Sequence, residues 1–147
     1  MKLKLYLNQL KTKRMDKEFC IYSQALRLKA LGFNEPCFGR WWFRSDIHNL
    51  NEEELEIIRS NYFELPEYYI LAPTFSQVFK WFREKYGLFV GPAAISYEDG
   101  PYLWFFEINS TILPFGTDLG ETDDFNTYEE AELACLDKLL EIVESKK

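Results

Sequence analysis

The sequence predicts an α+β fold, a small antiparallel sheet packed on one face by about three helices. Three observations carry this reading. Apolar residues recur at helical spacing behind Thr74-Phe-Ser-Gln77 and Thr127-Tyr-Glu-Glu130. Each has the form of a capping box, in which a Thr and a Glu or Gln three residues later satisfy the first free amides of a helix. Two runs rich in aromatic and β-branched residues, Ala93–Tyr97 and Tyr102–Ile108, flank Glu98-Asp-Gly-Pro101, and Asp-Gly is a preferred hairpin corner. The length, 147 residues, is that of one domain.

Residues 1–17 read as an N-terminal arm and 18–147 as a single α+β domain. In the arm, Leu3, Leu5 and Leu7 alternate as in a strand, whereas Leu3, Leu7 and Leu10 fit a helix, so periodicity leaves both open. Met15 is an alternative start, and a chain beginning there is expected to fold. A first helix is predicted over Tyr22–Leu31, ended by Gly32. Phe38-Gly-Arg-Trp-Trp-Phe-Arg44 follows as a strand, with Trp41 and Phe43 on one face and Arg40, Trp42 and Arg44 on the other. Asn51-Glu-Glu-Glu54 resembles an N-cap, and Leu55, Ile57 and Ile58 extend it to a short helix ending near Ser60. Tyr68–Leu71, between Pro66 and Pro73, reads as an edge strand.

The helix opened by Thr74 runs to Tyr86, with Phe75, Val78, Phe79, Phe82 and Tyr86 in one stripe, and Gly87 closes it. The hairpin is expected to share a sheet with the 38–44 strand and to pair Tyr97 with Tyr102, Ile95 with Trp104 and Ala93 with Phe106. A last helix over 128–145 presents Tyr128, Ala131, Cys135, Leu136, Leu139, Ile142 and Val143 to a core. The helix starts near Ile21, Thr74 and Thr127 lie 53 residues apart both times. The segments between them align poorly, so shared capping chemistry accounts for the likeness better than an internal repeat.

Composition excludes several classes. Cys20, Cys37 and Cys135 are odd in number and far apart, and the single histidine, His48, has no cysteine near it. Neither a disulfide framework nor a zinc site is expected, and reduced thiols in a cytoplasm are the natural reading. No apolar run reaches the ~18 residues a membrane helix needs, and Met1–Leu7 lacks the apolar core of a signal peptide. The net charge of −7 is unevenly spread: residues 1–50 carry +6, 51–97 carry −3 and 98–147 carry −10. An acidic whole makes nucleic acid an improbable partner despite the basic N-terminal third.

Three stretches together resemble a group of small uncharacterised proteins encoded in prophages and other mobile elements of gut-type bacteria. They are Tyr22-Ser-Gln-Ala with Leu31-Gly-Phe-Asn-Glu-Pro-Cys37, Ala72-Pro-Thr-Phe-Ser-Gln77 with Trp81-Phe-Arg-Glu-Lys-Tyr-Gly87, and Thr127-Tyr-Glu-Glu-Ala-Glu-Leu-Ala-Cys-Leu136. The likeness spans about residues 18–145, rests on caps, helix ends and core faces, and implies a bacterial or phage cytoplasmic setting without implying an activity.

No catalytic, cofactor-binding or metal-ligating residue is singled out. The nucleophile-elbow, zinc-protease, phosphate-loop and dinucleotide patterns are absent from the sequence. His48 reads as a solvated loop residue, and Asp118, Glu121, Asp123 and Asp124 as an acidic loop without the order of a calcium-binding hand. Gly87-Leu-Phe-Val-Gly91 has no basic residue with which to hold phosphate. The expectation is a non-enzymatic binding or assembly module of a phage or mobile element, acting on a protein partner or as a homodimer. The alternative is a small-molecule enzyme assembled from scattered polar residues such as Tyr97, Tyr102, Glu107 and Arg44.

Overall fold

A computed structural model of the chain describes residues 17–45, 51–57, 69–113 and 119–146, with backbone alone for 42–45 and 51–54. Residues 1–16 of the N-terminal arm, His48 and Asp118 lie outside the described residues. The elements in order are α1 (Tyr22–Ala30), β1 (Gly39–Ser45), β2 (Asn51–Ile57), β3 (Tyr69–Ala72), α2 (Phe75–Tyr86), β4 (Leu88–Ser96), β5 (Tyr102–Ser110) and α3 (Tyr128–Glu144). The fold is α+β with antiparallel pairing throughout the named strands. The chain divides into two compact units, Met1–Thr74 and Phe75–Lys147.

In the first unit, β1 is the central strand of the order β2-β1-β3. Both its edges are therefore occupied, by β2 and β3, and the hairpin does not join its sheet as expected: β4 and β5 form a sheet of their own. α1 starts with half a capping box: the Gln24 side chain accepts the Ile21 N–H at 3.3 Å, while Ile21 has no side-chain oxygen to return the bond. Gly32, at φ +89°, closes it, with the Phe33 N–H reaching back to Leu28 O at 3.0 Å. The core holds Phe19, Cys20, Leu28, Leu31, Phe33 and Ile70. Trp41 Nε1 donates to Cys20 O at 2.9 Å, which gives the ring's one polar atom a partner.

The helix expected over 51–60 is a strand over Asn51–Ile57, and the capping pattern there is overruled by pairing. β2 runs antiparallel to β1 with Arg40 opposite Glu56 and Arg44 opposite Glu52 in the register. Arg40 meets Glu56 at 3.0 Å and stacks 4.0 Å over the Tyr69 ring. Glutamate is poor in strand propensity, and Glu56 is accepted there because the facing strand supplies the Arg40 guanidinium.

In the second unit, α2 and α3 pack on β4 and β5. α2 buries Phe75, Val78, Trp81 and Phe82, and α3 buries Ala131, Cys135, Leu136, Leu139, Leu140 and Val143. Phe106 of β5 lies with its ring 5.9 Å from Phe79 and 5.5 Å from Tyr128, so aromatic contacts join the sheet to both helices. The Thr127–Glu130 capping box is complete: Thr127 Oγ1 accepts the Glu130 N–H at 3.2 Å and Glu130 accepts the Thr127 N–H at 3.3 Å.

The hairpin register differs by one residue from the expected one: Ser96 pairs with Tyr102, Ile95 with Leu103, Ala93 with Phe105 and Pro92 with Phe106. The turn does not centre on Asp-Gly. Glu98 and Asp99 take the positive φ values, 31° and 57°, and the Gly100 N–H closes onto Tyr97 O at 2.9 Å. Pro101 then follows as an extra residue with no N–H to give to a ladder, and pairing resumes one step out of phase.

Candidate functional site: an open strand edge

Among the described residues the hairpin has one covered edge and one open edge, and the hydrogen bonds show which is which. Trp104 and Ile108 donate to Phe125 O at 2.7 Å and Gly120 O at 3.1 Å, and the Phe106 N–H goes to Thr122 Oγ1 at 2.9 Å. Residues 120–125 therefore close the outer edge of β5. The register partners of those three residues, Ala94, Val90 and Pro92, form pairs that exchange no bonds, so they turn their backbone groups away from β5. Pro92 thus sits where its missing N–H costs the β4–β5 ladder nothing, as prolines in edge strands do. The N–H groups of Val90, Ala94 and Ser96 point to the outer edge and make no backbone bond among the described residues.

β4, Leu-Phe-Val-Gly-Pro-Ala-Ala-Ile-Ser, has no charged side chain. Edge strands commonly carry lysines or other charges that discourage pairing with another chain, and here Pro92 is the one such device. The strand is flanked by the basic last turn of α2, with Arg83 and Lys85, and by the acidic turn residues Glu98 and Asp99. Exposed aromatics stand at its ends: Phe89 is 38% accessible, Tyr97 58% and Tyr102 67%. Tyr97 donates its hydroxyl to Asp124 Oδ2 at 3.3 Å, and the Asp124 charge holds the phenol above its ordinary pKa. It remains a hydrogen-bond donor at neutral pH.

A second feature of the unit is an open groove of about 240 Å³ between residues 121–125 and α3, lined by Glu121, Asp123, Asp137 and Glu141 around Lys138. Two of its polar residues already serve the fold. Lys138 Nζ donates to Glu121 O at 2.8 Å, and Thr122 exchanges bonds with Phe106 through its N–H and its Oγ1. Among the described residues no three His, Cys, Asp or Glu side chains stand together as metal ligands, and no helix is long and apolar enough to cross a membrane.

Within the second unit, the residues named for an assembled enzyme site do not converge. Tyr97 and Tyr102 lie at the turn of the hairpin. Glu107 is five residues beyond Tyr102 on the opposite face of β5, about 17 Å along the strand. Arg44 is in the other unit, and its side chain is outside the described residues. The run Ala93–Tyr97 captures only part of this edge, because β4 begins at Leu88. The signal was the nine uncharged residues themselves, in a chain where 28% are charged. No protein-family model, no curated protein and no solved structure matches the chain.

Proposed function

We propose that the chain is a non-enzymatic protein-binding module that receives a polypeptide strand along the outer edge of β4. The observation that carries this reading is the uncharged edge, with the Val90, Ala94 and Ser96 N–H groups turned outward. Strand addition supplies main-chain hydrogen bonds for affinity and side-chain contacts at alternate positions for selection. Phe89 and Tyr97 offer such contacts, since aromatic side chains make strong interface anchors. The likeness of residues 18–145 to small prophage proteins, together with three buried free thiols, supports a bacterial or phage cytoplasm as the setting.

The test compares the immobilised wild-type chain with Ala94→Pro, which removes an outward N–H. Both are exposed to bacterial lysate containing a differently tagged copy of the same chain. The expected result is a bound protein, foreign or self, that the wild type retains and Ala94→Pro loses, and whose addition slows amide exchange at Val90 and Ala94. If the two immobilised proteins retain the same set, the edge is not the binding surface.

A further inference from the structure

We infer that the strand received by this edge is β4 of a second copy of the chain, paired antiparallel about a two-fold axis at Ala93; this rests on the reading that the edge binds a strand. The donors decide the register. The outward positions of β4 are Leu88, Val90, Pro92, Ala94 and Ser96, of which Leu88 lies at the strand's start. An axis through Pro92 would oppose the two prolines, leaving both facing carbonyls without a donor and crowding the two rings. Moved by one residue to Ala93, the axis sets Ala94 opposite the partner's Pro92 and Val90 opposite the partner's Ser96. Every N–H from Val90, Ala94 and Ser96 then meets a carbonyl oxygen of the partner strand. Only the Ala94 carbonyl lacks an N–H, and an under-satisfied carbonyl is the better tolerated of the two deficits.

Side chains agree with that register. Ile95 falls opposite the partner's Gly91, and a Cβ at Gly91 would find nothing within 4 Å, so there is room for the isoleucine. Phe89 falls opposite the partner's Tyr97, and both rings are exposed in the single chain. Such opposed aromatic pairs stabilise antiparallel strands.

Charge explains why the occupant is a second copy. β4 has a basic end, after Arg83 and Lys85, and an acidic end, before Glu98 and Asp99. Antiparallel self-pairing lays each basic end beside the partner's acidic end, twice over, whereas parallel pairing would put like on like. A foreign strand would have to carry the same bipolar pattern around an uncharged centre; β4 of another copy carries it already.

The experiment is sedimentation equilibrium on the full chain over a wide concentration range. A reversible dimer is expected, and Ala94→Pro should raise its dissociation constant about tenfold or more, because the outward hydrogen bonds of Ala94 are lost on both strands. The Ala94 N–H takes no part in the β4–β5 ladder, so the melting of dilute, monomeric protein should be unchanged. Amide exchange on the unmodified chain gives an independent readout: Val90, Ala94 and Ser96 should become protected as concentration rises. A chain that stays monomeric throughout, or a dimer in which these amides exchange as fast as in the monomer, overturns the self-pairing. A monomer that still captures a foreign protein through the edge overturns it while leaving the strand-binding reading intact; a monomer that captures nothing removes both.

Discussion

A Cβ added at Gly39 would meet the Ala72 carbonyl oxygen and the Phe19 ring, both at 2.6 Å. The carbonyl belongs to the β1–β3 register, where Gly39 is opposite Ala72, so it cannot move aside without loosening the sheet. Gly39→Ala should therefore cost about 1–3 kcal/mol, read as a lowered denaturant midpoint. Gly91 is the counterpart: with open space and no positive φ, Gly91→Ala should be neutral or stabilise by about 0.4–1 kcal/mol. Nothing in the sequence distinguishes these two glycines, because the obstruction at Gly39 comes from residues far away in the chain. The thiols carry a further expectation. Burial pushes Cys20 and Cys135 well above the ordinary thiol value, with Cys37 adding to the effect at Cys20 and Glu132 at Cys135. The folded state thus favours the protonated thiol. Its contribution is complete below the unfolded pKa of about 8.5 and is lost as pH rises above it, because the unfolded chain releases protons that the native one keeps. Unfolding midpoints should fall between pH 8 and pH 10, and the fall should be smaller in Cys20→Ala/Cys135→Ala. At pH 8 the folded protein should resist Ellman's reagent, with all three thiols reacting after denaturation.

At the scale of elements, legibility followed how local the determinant is. The Thr127–Glu130 box and most of the apolar faces of α2 and α3 could be read directly, since cap and period lie within one turn or one stripe of sequence. Trp81 and Leu140 also join the core, however, and Ile142, expected there, is only half-buried. Thr127→Ala should remove the bond to the Glu130 N–H and cost about 1 kcal/mol in a thermal or denaturant melt; an unchanged melt would mean that the last helix is held by packing alone. The hairpin was legible as a pair, but its register was not. Asp-Gly marks a corner without saying which residues take the positive φ, and Pro101 shifts the ladder by one. β2 was read as a helix because Asn51 and the glutamates mimic a helix start, while the partners that make it a strand, β1 and Arg40 within it, lie earlier in the chain. The strand edge was illegible for a related reason. Which side of β4 is open depends on residues 120–125 having closed the far side of β5.

At the scale of the whole chain, an order of elements recurs without its topology. Helix, hairpin, short extended segment and next helix occur as α1, β1, β2, β3, α2 and again as α2, β4, β5, residues 120–125, α3. Yet β1, the first strand of its hairpin, is central in one unit, whereas β5, the second strand of its hairpin, is central in the other. The 53-residue spacing therefore does not correspond to one sheet built twice. Because the second unit ends in α3, the stability of that unit can be tested by removing this helix. Leu136, Leu139, Leu140 and Val143 are all buried there, at roughly 1.5–3 kcal/mol each, or about 6–12 kcal/mol together. That is of the order of the ~5–15 kcal/mol by which a whole domain is stable. The loss also strips Tyr128 from the Trp104 and Phe106 rings, at 5.5 Å from each, leaving the helix-facing side of the hairpin wet. A protein ending at Asn126 should consequently lose amide protection throughout β4 and β5 and either unfold in that unit or aggregate. Retention of native-like protection at Phe105 and Glu107, whose N–H groups face β4, would show that the hairpin stands on α2 alone and that α3 contributes far less than its buried area implies.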